Sequence, residues 1–172
     1  MAYTHYFSQT RKVTDGEFKE FVNVCKKLYE NLPERTDTAG GYYKDNMLVI
    51  GGLYGAGKPV FKSNIVSFNG AGNVLSHESF VIEKNKDDGF NFCKTARKPY
   101  DLLVVACLIA AWQFIDYRFS SDGIYNNQCK DLQPAIDYYN AVMTPKIPIT
   151  EEMILKQSNE RKEFSWFLIK TP

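Results

Sequence analysis

The residues of this chain whose types and spacing could do chemistry form three groups. Gly52, Gly57 and Lys58 satisfy the G-x-x-x-x-G-K pattern, in which glycine amides wrap a phosphate and the lysine neutralises it. The next position argues against a nucleotide hydrolase of that kind. Pro59 has no hydroxyl for magnesium and no amide to donate, and Val60-Phe61 leads toward a strand where such a loop opens a helix. A glycine-rich hairpin that presents Gly55, Gly57 and Lys58 to a ligand is one reading, and an ordinary turn is the other. The second group is Lys94, Arg97 and Lys98, with Thr95 among them, just ahead of a helix that begins near Pro99. Helix amides and the macrodipole favour an anion there, and the neighbouring cations add to that preference. The competing reading is a solvated basic loop, or pairing with Asp87, Asp88 and Asp101. Tyr54, beside the glycines, offers a face for stacking a base, as do Tyr42, Tyr43 and Phe61, though aromatics next to strands commonly belong to a core.

The third group centres on the two histidines. His77-Glu78-Ser79 fits the H-x-[ST] element of two-histidine phosphoesterases, in which each histidine acts as acid or base beside a phosphate-holding hydroxyl. His5 is followed by Tyr6-Phe7, so the second element is missing. A histidine hydrogen-bonded at a strand end is the commoner reading of His77. Cys93 precedes Lys94, which would lower a thiol pKa, whereas a buried structural thiol is the commoner case. Ser120-Ser121-Asp122-Gly123 could hold a cation or a ligand hydroxyl, and also reads as a turn.

These groups need a scaffold, and the composition supplies one. At 172 residues, 44% hydrophobic and 15% aromatic, the chain has the means to bury a core, which excludes extensive disorder. A net charge of +1 provides no global field for nucleic acid or an acidic membrane, so any anion site is local and no DNA partner is expected. Cys25, Cys93, Cys107 and Cys129 stand far apart, without the spacing of a zinc site or a disulfide framework. Reduced thiols and the cytoplasm are therefore expected, with no metal and no cofactor. The longest apolar run, residues 102–115, is too short for a bilayer, and no targeting segment is expected ahead of Thr4.

The local patterns predict an α+β fold, a mainly antiparallel sheet of about five strands carrying three main helices. Strands are expected at residues 3–7, 47–50, 65–68, 79–82 and 117–120, with the turn Asn69-Gly70-Ala71-Gly72-Asn73 making a meander of the middle pair. Thr14 and Glu17 form a capping box for a helix over residues 15–31, whose apolar stripe begins at Phe18. A central helix spans residues 100–115, apolar on nearly every side. Asp131 caps a third over residues 132–142. Residues 1–144 read as one domain and 145–172 as an extension, which starts a short helix after Thr150 and ends in an apolar segment. Phe164, Trp166 and Phe167 there would cover a sheet edge or make a homo-oligomer contact.

Several stretches together resemble a family of short, uncharacterised proteins of bacteria, mobile elements and bacteriophages. They are Tyr3-Thr4-His5-Tyr6-Phe7, the Gly55-x-Gly57-x-Pro59 turn, Phe68-Asn69-Gly70, His77-Glu78-Ser79-Phe80, the segment Phe92-Cys93-Lys94-Thr95-Ala96-Arg97-Lys98-Pro99-Tyr100-Asp101, and Ser120-Ser121-Asp122-Gly123. The family usually has a tryptophan soon after that last turn, where this chain has Tyr125, and residues 145–172 look added. The resemblance implies a shared fold and no particular chemistry. The expected function is a non-catalytic binding protein for a phosphate-bearing small molecule, held by Lys94, Arg97, Lys98, Lys58 and Tyr54. In a phage setting it would resemble the sponges that sequester a nucleotide immune signal and silence host defence. The alternatives are a phosphodiesterase working through His77, with or without His5, and an interaction protein that blocks a host factor.

Overall fold

The structure, a computed structural model, describes residues 2–33, 47, 49–86 and 90–160 in full. Residues 35–36, 42–43, 46, 48 and 161–170 are described by their backbone alone. The fold is α+β, and every strand pairing in it is antiparallel. In chain order the strands and helices are β1 (Thr4–Gln9), α1 (Asp15–Glu30), β2 (Arg35–Thr36), β3 (Tyr42–Tyr43), β4 (Ile50–Gly51), β5 (Val60–Lys62) and β6 (Ile65–Gly70). They continue with α2 (Gly72–Leu75), β7 (Phe80–Glu83), β8 (Asn91–Lys94), α3 (Asp101–Ile115), β9 (Tyr117–Ser121), α4 (Gln133–Met143) and α5 (Glu151–Lys170).

The expected single sheet is divided into two main sheets, beside the separate two-stranded pair β2-β3. One has the order β8-β1-β9, and in the other β6 is paired with β4, β5 and β7. Phe80 of β7 joins them, its ring 5.0 Å from Phe68 of β6 and 5.6 Å from Phe7 of β1. α3 runs between the first sheet and the helices α1 and α4, and it is buried from Leu103 through Ala111. That position explains a helix apolar on every side. α1 buries Phe18, Phe21, Val22, Cys25 and Leu28, and its capping box is present: Thr14 Oγ1 accepts from Glu17 N, and the Glu17 carboxylate accepts from Thr14 N.

Four expectations need correction. Residues 47–50 do not form a strand: Asn46–Val49 is a 3-10 turn and only Ile50–Gly51 pairs with β6, because a strand that short gains too little ladder to straighten the turn. The glycine-rich turn after β6 contains α2, so β6 and β7 are not joined by a tight hairpin. Asp131 does not cap α4; Leu132 takes that position without a side-chain bond, and Asp131 pairs with Arg97. The segment after Thr150 is one long helix rather than a short helix and an apolar end.

α5 packs on the outer edge of β9, burying Ile154, Gln157 and Ser158. Phe164, Trp166 and Phe167 lie outside the residues described with side chains. No described helix is long and apolar enough to cross a membrane.

Candidate functional site

The segment between β8 and α3 determines where the basic residues point. Thr95 N and Ala96 N both donate to Tyr3 O, at 2.9 and 3.3 Å, and Lys98 N closes back on Thr95 O at 3.0 Å. Ala96 and Arg97 turn in succession through the left-handed region, with φ of 50° and 58°. Neither is glycine, so each costs about 1–2 kcal/mol, and such strain persists only where the surroundings over-determine it. The turn sends its cations apart. Lys98 Nζ donates to Val74 O at 2.8 Å. Arg97 goes the other way, its guanidinium 3.9 Å above the Tyr3 ring and 2.8 Å from Asp131 Oδ2. Lys94 donates through its backbone N–H to Glu78 Oε2 at 2.7 Å. Asp87 and Asp88 lie outside the described residues, and Asp101 pairs with none of these cations.

Asp101 is occupied from inside the protein. Its Oδ1 accepts from His5 Nε2 at 2.7 Å and also from Thr95 Oγ1. His5 and Thr95 are wholly buried, so the carboxylate in the first turn of α3 already holds the place an incoming anion would take. Two buried polar atoms here make no well-formed hydrogen bond among the described residues, His5 Nδ1 and the Tyr3 hydroxyl. Tyr3 meets His5 edge-on at 5.2 Å. Burial, then the charge of Asp101, pushes the Tyr3 phenol up to about 12, against the smaller opposing effects of a loose hydrogen bond toward Ser121 and the charge of Arg97.

Two cavities adjoin Arg97, and Asp131 lines both. The inner one, about 220 Å³, lies over Tyr3 and Asp101, with Leu102, Val105, Pro134 and Ala135 as apolar wall. The outer cleft, about 360 Å³, is polar and includes Lys130, Asp122, Gly123, Gln128 and Tyr125. Its far side is a two-residue hairpin: Tyr125 and Gln128 exchange backbone hydrogen bonds at 2.9 and 3.0 Å around Asn126 and Asn127. Both central residues have positive φ, 48° and 56°, the conformation asparagine tolerates best after glycine. The hairpin leaves Tyr125 exposed. The Ser-Ser-Asp-Gly turn is used structurally. Asp122 Oδ2 accepts from Thr4 N at 2.9 Å, and Ser121 Oγ from Gly123 N at 3.0 Å.

The glycine-rich turn is a separate feature. Gly52 N donates to Gly57 O at 3.2 Å, Gly55 and Gly57 have φ of 81° and 70°, and β5 follows, so no helix opens there. Tyr54 is 81% exposed, and its backbone N donates to Ser79 Oγ. Lys58 is exposed, but neither it nor Tyr54 lines either cavity beside Arg97. Phe61 packs on Tyr29, while the side chains of Tyr42 and Tyr43 lie outside the described residues.

His77 is exposed, with Nδ1 2.8 Å from Lys94 O; a ring N–H donated there would leave Nε2 outward. It has no part in the His5 cluster: His5 is sealed and bonded to Asp101. Cys93 is not an activated thiol. Burial, then the charges of Glu78 and Asp101, raises its pKa strongly, so the neighbouring lysine does not win.

Compared with protein-family models, curated proteins and solved structures, the chain matches none. The side chains that sequence reasoning missed are Tyr3 and Asp131 as partners of Arg97, and Lys130 and Tyr125 as walls of the cleft. Of these, only the hairpin carries a local signal, the consecutive asparagines 126 and 127.

Proposed function

We propose that this chain is a non-catalytic binding protein for a phosphate-bearing small molecule, and that Arg97 is its anchor. The supporting observation is the placement of Arg97: a strained left-handed backbone holds its guanidinium where two cavities meet, with Lys130 beside it. A planar guanidinium in a cleft suits a phosphate, which it can bond through two N–H groups. Asp131 occupies it in the free protein, so a ligand must outcompete a surface carboxylate, a cost of at most about 1 kcal/mol for an exposed pair. Lys94 and Lys98 line neither cavity, Lys98 turning to Val74 O, and add only positive charge along the same segment. The Gly55–Gly57 turn, with Lys58 and Tyr54, belongs to the periphery of this reading. In the phage setting suggested by the resemblance, the role would be to sequester a nucleotide signal and so inhibit host defence.

One observation favours a second reading: the ring of His77, oriented through Nδ1 with Nε2 outward, suits a general base for phosphodiester cleavage. Native mass spectrometry of the protein with linear and cyclic nucleotides and ADP-ribose derivatives, followed by denaturation and chromatography, separates the two. An intact ligand that is lost when Arg97→Ala is combined with Lys94→Ala supports sequestration. A cleaved product that accumulates, and disappears with His77→Ala, supports the enzyme. Absence of any bound or altered compound would refute both.

A further inference from the structure

The inner cavity and the outer cleft differ in chemistry but share Arg97 and Asp131. The inner one falls below the roughly 300–1,000 Å³ of typical ligand sites and the outer one stands near its lower limit, whereas the two together fall well within it. The inner cavity sets an apolar wall of Leu102, Val105, Pro134 and Ala135 against the polar Tyr3, Arg97, Asp101 and Asp131. Tyr3 is 3% exposed, and its hydroxyl makes no well-formed hydrogen bond among the described residues, only a loose one toward Ser121. Buried hydroxyls are nearly always bonded, so this one needs an explanation. Asp101 has its Oδ1 held by His5 and Thr95, while Oδ2 accepts no hydrogen bond from the described residues. The Tyr3 hydroxyl also ends beside Gly123, a residue of the outer cleft: a Cβ on that glycine would stand 2.3 Å from it. Tyr3 thus borders the inner cavity with its hydroxyl next to a residue of the cleft.

We propose that the two cavities are the halves of one nucleotide site, the outer half holding the phosphate on Arg97 and Lys130 and the inner half holding the base. This rests on the reading of the chain as a binder of phosphate-bearing small molecules, and it names the ligand class and its orientation. As Arg97 turns from Asp131 to the phosphate, it uncovers the Tyr3 ring. A flat heterocycle then lies between that ring and the wall of Leu102, Val105 and Ala135. An N–H of the base donates to Asp101 Oδ2, and the Tyr3 hydroxyl donates to an acceptor on base or ribose.

The test is titration calorimetry with the four ribonucleoside 5′-monophosphates, the matching nucleosides, ribose 5-phosphate and inorganic phosphate. At least one nucleotide is expected to bind about tenfold or more tightly than ribose 5-phosphate and than its own nucleoside. Leu102→Trp, which fills the inner cavity from its partly exposed wall, is expected to remove that advantage and leave ribose 5-phosphate binding within about twofold. Equal binding of nucleotide and ribose 5-phosphate would overturn the bipartite site and leave the phosphate reading standing. Failure of every phosphate compound to bind would overturn both. In the unaltered protein, NMR contacts between base protons and the methyl groups of Leu102 and Val105 are expected with the bound nucleotide. Their absence would overturn the proposal even if Leu102→Trp did not fold.

Discussion

Gln157 does for β9 what a neighbouring strand would do, and removing its amide should be costly. Its Oε1 accepts from Phe119 N at 2.8 Å, and its Nε2 donates to Phe119 O at 2.7 Å, so one side chain satisfies both backbone groups of an edge-strand residue. Gln157 is 2% exposed and Phe119 wholly buried, so water cannot replace it. Gln157→Leu keeps the bulk of the side chain but strands one N–H and one C=O, at about 1–3 kcal/mol each. The extra apolar burial of leucine returns part of this, which leaves a net loss of about 2–4 kcal/mol. For a chain of this length that lowers Tm by roughly 5–12 °C. Urea denaturation followed by circular dichroism measures it, with exposed Lys156→Ala as the control on the same helix. A loss below about 0.5 kcal/mol, or one equal to the control, would refute the claim that α5 holds the edge of β9 through this residue.

The remaining predictions concern the surroundings of Arg97. Tyr3→Phe removes a buried hydroxyl that makes no well-formed hydrogen bond among the described residues, so stability at pH 7 should hold within about 1 kcal/mol while nucleotide binding weakens. The native phenol, with its pKa raised to about 12, keeps its proton where the unfolded one loses it. The stability it contributes is complete below the ordinary pKa of 10 and is lost as pH rises toward 12, so denaturation at pH 8 and pH 11 should show a smaller alkaline loss in Tyr3→Phe. Gly123→Ala should destabilise the protein through the 2.3 Å approach to the Tyr3 hydroxyl, and Tyr3→Phe should rescue much of that loss in a double-mutant cycle. Asp131→Asn breaks a half-exposed ion pair, so stability should change by less than about 1 kcal/mol. By freeing Arg97 it should tighten phosphate compounds by up to about fivefold, read by titration calorimetry.

Local chemistry was legible in the sequence because it acts over a few residues. Thr14 and Glu17 announce the start of α1, the spacing from Phe18 to Leu28 its buried stripe, and the all-apolar stretch of α3 its central position. The α+β class follows from the same periodicities, and the basic residues before α3 are plain from their types. What tertiary structure alone decided is which way they face. A left-handed turn at Ala96 and Arg97 sends Lys98 to Val74 and Arg97 to Tyr3, and no residue type in that turn signals positive φ. The partners of Arg97 come from distant parts of the sequence. Tyr3 arrives because β1 lies between β8 and β9, and Asp131 because the chain after β9 returns over the same side before α4. Strand register and crossover are set by the burial of whole faces, a non-local quantity, so the cavity they enclose has no counterpart in the order of residues along the chain.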